Sequence, residues 1–362
     1  MKPIQFPQDE LAHNHAIEWW YWNGHLTDEN GKKYAYMHCL FKADTKKVKL
    51  PFLSKHPFKT LFFAHSTFID ISAKKATPKV DYTVLASKDS FTKSLLYVNY
   101  INPLFVIDGY VNNVIEQKSK NAYHIKNEEI DLNLVSVKKP LLEDGTGYVD
   151  LQTKGSYYYS LPRLKTEGTI NINGKHLKVK GTSWMDHQWA DTGYSKKDKW
   201  TWFSIQLTNK IDIVCFEFDD GKNKMYLATI SYSNNKQSST HEVILTQKGN
   251  IWESPVTKAK YPLSWKIEIP SKNILLELDA ISKSNEVLFG IINYWEGSMN
   301  IKGSINGKKV KGQGFMELVG YPMNRSNLTI YRKKAEKLVG NTFSAMKNKG
   351  LNVVNGIIKK KR

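Results

Sequence analysis

The sequence predicts an all-β protein in which two antiparallel β-barrels follow one another along the chain, with a basic amphipathic helix at the C-terminus. Short runs rich in β-branched and aromatic residues recur along the chain, and Asn-Gly or Asp-Gly dipeptides, which favour tight hairpin turns, separate many of them. The length of 362 residues exceeds the usual size of a single domain. Together these observations indicate two β-domains.

A weak internal repeat supports the division into two barrels. Residues 19–26 (WWYWNGHL) align with residues 200–207 (WTWFSIQL), and each block leads into a second apolar strand. Residues 181–186 (GTSWMD) are similarly matched by residues 312–317 (GQGFME), each after an Asn-Gly-Lys hairpin. The predicted parts are an N-terminal barrel at residues 1–195, a C-terminal barrel at residues 196–330 and a basic tail at residues 331–362.

The formal charge of +19 is concentrated in the tail. Residues 331–362 hold ten Lys or Arg residues and a single acid, Glu336, and apolar residues recur there at three- and four-residue steps. Such a helix can pack on its own protein or lie on an anionic membrane surface. The remaining chain carries only a modest positive charge, so we expect no nucleic-acid partner.

Other sequence patterns limit the cellular compartment and the kinds of chemistry that we expect of this protein. Cys39 and Cys215 each lie in an apolar strand-like run, so we expect buried free thiols. Because the N-terminus lacks an apolar leader, we expect a cytoplasmic protein, either free or peripheral at the inner face of the membrane. Neither a phosphate-binding glycine loop, a nucleophile elbow nor a metal-ligand spacing is present, so we expect no metal and no cofactor.

Several long motifs resemble those of the AttH/CrtC family, in order, over about residues 13–321. They are EWWYWNGHL at residues 18–26, SYYYS with PRL at 156–164, GTSWMDHQW at 181–189, YWEG at 294–297 and GFMELVGY at 314–321. The resemblance implies two lipocalin-like barrels packed together. The wider group includes carotenoid hydratases (hydroxyneurosporene synthases), fungal Diels–Alderases of polyketide pathways and lipid-handling proteins, so the fold alone cannot choose among activities.

The resemblance implies a hydrophobic ligand, isoprenoid-like or polyketide, with two alternatives for its fate. The protein either hydrates or cyclises a C=C bond without a cofactor, or it is a non-catalytic lipid carrier or sensor. Hydration of an unactivated alkene begins with protonation to a carbocation, which requires a carboxylic acid kept protonated in an apolar pocket. Aromatic faces stabilise such a cation by about 0.5–2 kcal/mol each. We therefore expect the Trp- and Tyr-rich segments to enclose a dry cavity containing a carboxyl group.

Asp186 is the leading candidate for this acid. It lies between two tryptophans, and the resemblance assigns the acid role to an aspartate in this motif. The alternative is a structural aspartate that caps a turn or pairs with Arg163. Glu18 and His187 are further catalytic candidates, as a second buried carboxyl and as a group that orients water; a structural ion pair and a core histidine are their alternatives.

Strand alternation divides the aromatic run that follows Glu18. Trp20 and Trp22 share one face, whereas Trp19 and Tyr21 share the other. The predicted ligand-binding residues, chosen from the family-like motifs and the repeat, are Trp20, Trp22, His25, Tyr157, Tyr159, Arg163, Trp184, Trp189, Trp202, Tyr294 and Trp295.

Overall fold

The computed structural model describes residues 2–48, 59–102, 113–151, 154–191, 197–289 and 292–324, together with separate helical positions between Ser326 and Ser344. Antiparallel strands form two large sheets and one small sheet. In the described part of the barrels, helix is limited to three short 3-10 turns, at Gln8–Glu10, Glu143–Gly145 and Pro270–Lys272. The predicted all-β fold class is confirmed.

The first sheet contains twelve strands. They are β1 (Ile17–Asp28), β2 (Lys33–Asp44), β3 (Thr60–Asp70), β4 (Lys75–Ala86), β5 (Tyr97–Ile101), β6 (Asn113–Ser119), β7 (Ala122–Lys126), β8 (Ile130–Ser136), β9 (Leu141–Leu142), β10 (Tyr148–Asp150), β11 (Gly155–Ile172) and β12 (Lys175–Ala190). Strand β11 pairs with both β12 and β8, so strands β1–β8, β11 and β12 close into a barrel.

The remaining strands follow Lys199. They are β13 (Lys199–Leu207), β14 (Asp212–Asp219), β15 (Lys224–Ser231), β16 (Gln237–Thr240), β17 (Ile244–Gln247), β18 (Ile251–Glu253), β19 (Lys260–Pro262), β20 (Ser264–Ile269), β21 (Ile274–Ala280), β22 (Glu286–Phe289), β23 (Ile292–Ile305) and β24 (Lys308–Val319). Strands β18 and β19 form the small sheet, and the others form the second large sheet. The edge strands of that sheet, β16 and β17, are consecutive in the chain, so the sheet curls round until its two edges are joined by residues 241–243.

Asn-Gly turns make the two longest hairpins. Asn173 and Gly174, between β11 and β12, have φ values of 52° and 83°, and Asn306 and Gly307, between β23 and β24, have φ values of 49° and 74°. Positive φ at both central residues is the geometry that matches the twist of two antiparallel strands. These hairpins therefore begin where the dipeptides predict.

The described residues form four apolar clusters, of which the smallest includes Phe63 and Phe289. The first barrel encloses one that includes Trp20, Trp22 and Tyr159, and the second sheet encloses one that includes Phe203 and Trp295. The third lies between the barrels, where Tyr21 and Tyr158 of the first sheet pack with Phe216 and other residues of the second. The outer face of β1 is therefore largely buried as well.

A buried ion cluster also joins the two barrels. Asp212 of β14, whose side chain is fully buried, accepts bonds from Arg163 of β11 at 2.6 and 3.1 Å and pairs with Lys138 at 2.9 Å. One acid of the second sheet thus holds two cations of the first. Since a buried charge is costly without a partner, this cluster favours a single docking geometry.

The tail is described only in part. Its described positions between Arg332 and Ser344 are helical and largely exposed, and Arg332 pairs with Glu336 at 3.0 Å. Most of the apolar positions on which the amphipathic pattern depends, including Phe343 and residues 345–358, lie outside the described residues. Among the described residues, no helix has the length and apolar character needed to cross a membrane.

Candidate functional site

A cavity of about 200 Å³ lies between the two barrels. Strands β1, β2, β3, β11 and β12 supply one wall, and β13, β22, β23 and β24 supply the other. Much of the lining is aromatic and includes Trp19, Phe41, Phe63, Trp200, Trp202 and Phe289. The expected cavity walled by aromatic rings is therefore present, and it is formed by the outer faces of the barrels.

Asp186 lies in the first wall, 3% exposed and surrounded by hydrogen-bond donors. Its Oδ1 accepts bonds from the Ser160 hydroxyl and the Trp184 indole N–H, both at 2.6 Å, and its Oδ2 accepts one from the Tyr158 hydroxyl at 2.7 Å. The Tyr158 oxygen in turn accepts a bond from Trp202 Nε1 of the other barrel at 2.8 Å. Both barrels thus position this carboxyl group.

Burial raises the pKa of Asp186 to about 7, although the bonds from Ser160, Tyr158 and Trp184 act to lower it. Burial outweighs the donors because a charge in this apolar wall loses its hydration. The Asp186 carboxyl can therefore exchange a proton near neutral pH. It does not pair with Arg163, whose guanidinium bonds Asp212 instead.

The opposite wall contains two more carboxyl groups, Glu296 on β23 and Glu317 on β24. The two residues are direct cross-strand partners. The Tyr21 hydroxyl reaches across from the first barrel and donates to Glu296 Oε1. Glu317 lines the cavity, is only partly buried, and makes no hydrogen bond or ion pair with another described residue. Glu296 is thus held by Tyr21, whereas Glu317 lines the cavity without a hydrogen-bond partner among the described residues.

The pKa of each glutamate is shifted upward. Burial and the nearby Asp186 raise the pKa of Glu317 to about 7, and burial together with Glu317 raises the pKa of Glu296 well above its ordinary value. Like charges in one site cannot all ionise at neutral pH, and no lysine or arginine is among the described lining residues. The cavity therefore holds protonated carboxyl groups.

A histidine and a tyrosine add further polar groups to the lining. His65 Nδ1 lies 2.7 Å from the Tyr294 hydroxyl, and both residues line the cavity. Burial lowers the pKa of His65 to about 3, so its ring is neutral at physiological pH. This pair offers hydrogen bonds to a ligand without adding a charge.

Three of the predicted site residues, Asp186, Trp202 and Tyr294, line this cavity, and Trp184 supports Asp186 from behind. The others lie elsewhere. Trp20, Trp22, Tyr159 and Trp189 belong to the core of the first barrel, against which Tyr157 packs, whereas Trp295 belongs to the core of the second. His25 bonds Ser298 at 2.6 Å and lines a separate groove of about 460 Å³ with Lys33, Lys165 and Lys180.

Glu18 and His187 form a different cluster, with His13 of the N-terminal segment. Glu18 Oε1 lies 2.8 Å from His13 Nδ1 and 3.0 Å from His187 Nε2, and Lys42 Nζ lies 3.0 Å from Oε2. Burial would raise the pKa of Glu18, but the bonds from both histidines and the charge of Lys42 lower it to about 2. His187 follows Asp186 on β12 and so points to the barrel interior, away from the cavity.

The ligand atoms of His13, Glu18 and His187 lie within 4.8 Å of one another, a spacing that a metal ion could bridge. No such spacing is visible in the sequence, because the third ligand, His187, comes from a distant strand. His13 Nδ1 and His187 Nε2 already contact Glu18, and Lys42 supplies a positive charge beside this carboxylate. These contacts favour a structural hydrogen-bond cluster that holds the N-terminal segment on the barrel.

The site residues that were not predicted from the sequence include Trp19, Tyr21, His65, Tyr158, Trp200, Glu296 and Glu317. Alternation correctly separated Trp20 and Trp22 from Trp19 and Tyr21. It could not say which face borders the cavity, because both faces of β1 are buried. For the glutamates a signal existed: Glu296 is two residues from Tyr294 on one strand, and Glu317 is the counterpart of Asp186 in the internal repeat.

The family model for AttH-like proteins matches residues 1–321 of the chain. The chain belongs to the AttH-like family. Among curated relatives, it is 23% identical over 207 residues to dehydratase asqC of Emericella nidulans, covering 53% of this chain and 58% of that protein. It is 24% identical over 203 residues to kievitone hydratase of Fusarium solani subsp. phaseoli, covering 54% and 57%. The matches thus span somewhat more than half the length of these curated relatives.

Two solved structures have a similar fold. An AttH protein from Nitrosomonas europaea superposes with a TM-score of 0.70 at 22% identity, covering 88% of this chain and 98% of that one. Kievitone hydratase from Nectria haematococca superposes with a TM-score of 0.66 at 18% identity, covering 89% and 94%. The fold of this chain is therefore similar to the folds of these two proteins.

Proposed function

We propose that this AttH-like protein adds water to, or removes water from, a hydrophobic substrate whose reactive end occupies the cavity between the barrels. The observation that carries the proposal is the convergence of three carboxyl groups, Asp186, Glu296 and Glu317, on a cavity lined largely by apolar and aromatic side chains.

The cavity supplies what hydration of an unactivated alkene requires. A carboxylic acid that stays protonated near neutral pH can protonate a C=C bond, and burial provides this for Asp186 and Glu317. The faces of Trp19, Trp200 and Trp202 can stabilise the cation that results. Dehydration passes through the same cation in reverse, so one site can serve either direction.

The curated relatives support this assignment. One is named a hydratase and the other a dehydratase, and these names describe the two directions of one reaction. The protein's fold and its buried carboxyl groups are consistent with either direction. We infer that the substrate is isoprenoid-like or polyketide in character, as the aromatic lining favours.

The cavity volume limits how much of a substrate can enter. A cavity of about 150 Å³ suffices for benzene, so about 200 Å³ accommodates one small branched alkene group or one ring. A long carotenoid-like chain would place only its end between the barrels. We therefore propose a reactive terminal group rather than an internal double bond of a long chain.

The test is turnover of a panel of acyclic isoprenoids and small branched alkenes by the purified protein, with products identified by mass spectrometry. Asp186→Asn is expected to lower turnover by about 10²–10⁴-fold, since it removes a proton-transfer group without changing the size of the side chain. Glu242→Gln, an exposed glutamate outside the cavity, is the matched control. Binding of these compounds without conversion by the wild-type protein would favour the alternative of a lipid carrier.

A further inference from the structure

We propose that the two walls of the cavity divide the proton transfers: Glu317 donates the proton to the substrate carbon, and Asp186, as a carboxylate, accepts a proton from the attacking water. This division of roles rests on the proposed function. It deepens it by assigning Glu317 as a second catalytic residue, opposite the first.

The hydrogen-bond donors decide where the negative charge resides. Three donors point at Asp186, from Ser160, Tyr158 and Trp184, at 2.6–2.7 Å. Hydrogen bonds to a carboxylate stabilise the charged form. No described donor contacts Glu317, so its ionised form has no comparable stabilisation. Of the carboxyl groups in the cavity, Asp186 is therefore the first to ionise.

The environment of Ser160 supports this assignment. Its hydroxyl lies 2.6 Å from Asp186 Oδ1 and 3.0 Å from Glu143 Oε1, yet a hydroxyl has only one proton to donate. Glu143 is fully buried and its pKa is raised well above the ordinary value, by burial first and also by the charge of Asp186. A protonated Glu143 donates to the Ser160 oxygen, which leaves the Ser160 proton for Asp186.

The surroundings of Glu317 keep it protonated. Its cross-strand partner Glu296 accepts the hydrogen bond from the Tyr21 hydroxyl, so that donor is not available to Glu317. Asp186 contributes a negative charge from the other wall. The other titratable groups among the described lining residues are Tyr158, Tyr294, His65 and Cys39, and burial disfavours the charged form of each. Nothing described around Glu317 offers a positive charge that would favour its ionisation.

The resulting step balances. The O–H bond of Glu317 breaks and its proton forms a C–H bond with the π electrons of the alkene, which leaves a carbocation between the aromatic walls. A lone pair of water forms the C–O bond, and Asp186 takes one proton from that oxygen, so the product is a neutral alcohol. Return of the proton from Asp186 to Glu317 restores the starting state before the next turnover.

The first experiment measures the charges without a substrate. The C=O stretching bands of protonated carboxylic acids are followed by infrared spectroscopy from about pH 5 to about pH 9 in the wild type, in Asp186→Asn and in Glu317→Gln. We expect the transition at lower pH to disappear in Asp186→Asn and one at higher pH to disappear in Glu317→Gln. Loss of the lower transition in Glu317→Gln would overturn the assignment.

The second experiment uses 2-methyl-2-butene, a branched alkene small enough for the cavity, in heavy water. Asp186→Asn is expected to form at least 100-fold less alcohol but still to incorporate deuterium into the recovered alkene, because Glu317 still protonates it reversibly. Glu317→Gln is expected to lose both reactions, and Glu317→Asp to recover part of them. Deuterium incorporation by Glu317→Gln at the wild-type rate would refute the role of Glu317.

The infrared titration and the alkene reaction distinguish failure of the proposed function from failure of the division of roles. Conversion of no alkene by the wild type would count against the hydration chemistry, whereas the infrared titration would still decide which carboxyl group ionises first. Normal turnover by a wild-type protein in which Glu317 ionises before Asp186 would instead retain the proposed function and refute the division of roles.

Discussion

Adjacent residues on strand β12 face different compartments of this protein. Asp186 faces the cavity between the barrels, whereas His187 faces the interior of the first barrel and contacts Glu18. Successive side chains of a strand point to opposite faces, so a one-residue step changes the compartment. The candidates Asp186, His187 and Glu18 therefore divide into a cavity carboxyl and a structural pair.

This division predicts a pH-dependent loss of stability in Glu18→Gln. The buried carboxylate holds His13, His187 and Lys42, and removal of one partner from a buried charged cluster costs about 3 kcal/mol. The pKa of Glu18 is lowered to about 2 in the folded protein, so its contribution is present above about pH 4.5 and is lost as the pH falls toward 2.

Urea unfolding at several pH values measures this effect, with the exposed Glu29→Gln as the control. The stability difference between wild type and Glu18→Gln is expected to be full at pH 7 and to shrink below about pH 4. A variant with wild-type stability but no turnover would instead make Glu18 a catalytic residue.

The central strands of the first barrel show why the alternation of side chains does not reveal what each face of a buried strand packs against. Strand β1 is buried along almost its whole length, on both faces. Its alternation assigns each residue to a face, but an apolar residue is suitable for either a barrel core or a barrel–barrel interface. The face that borders the cavity is decided by where the second barrel docks.

Gly24 of β1 illustrates a requirement of the packing between neighbouring strands. A Cβ at this position would lie 2.4 Å from Ser183 Oγ and 2.7 Å from the Tyr36 ring. The Tyr36 hydroxyl also bonds Ser183 Oγ at 2.8 Å, so neither neighbour can move freely.

Gly24→Ala is therefore expected to destabilise the first barrel by about 1–3 kcal/mol through overpacking. Thermal or urea unfolding measures the change, and Thr27→Ala on the same strand is the control. An unchanged free energy of unfolding would mean that Tyr36 shifts at little cost.

At the scale of the whole molecule, the docking of the two barrels creates the candidate site. Each barrel contributes one wall, and each reaches into the other: Tyr21 donates to Glu296, and Trp202 donates to Tyr158. Asp212 and Arg163 pair across the two barrels but do not line the cavity. We expect substitutions that break this pair to change the shape of the cavity by loosening the docking of the barrels.

The basic tail remains a prediction about placement in the cell. Its described positions are helical and mostly exposed, which leaves them accessible to a surface. Each Lys or Arg near an anionic membrane contributes about 1 kcal/mol, so deletion of residues 331–362 is expected to abolish sedimentation with anionic vesicles at low salt. Uncharged vesicles are the control, and equal binding by the truncated protein would exclude a membrane role for the tail.

The strand-rich fold, the hairpins at Asn173-Gly174 and Asn306-Gly307 and the two faces of β1 could be predicted from the sequence alone. These features depend on local turn chemistry and on a two-residue period, which are readable without a third dimension. The catalytic role of Asp186 stays a prediction. The position of the cavity between the barrels, and the placement of Glu296 and Glu317 opposite Asp186, became visible only in the three-dimensional structure. Strands more than a hundred residues apart supply those groups, and their proximity depends on how two finished barrels pack.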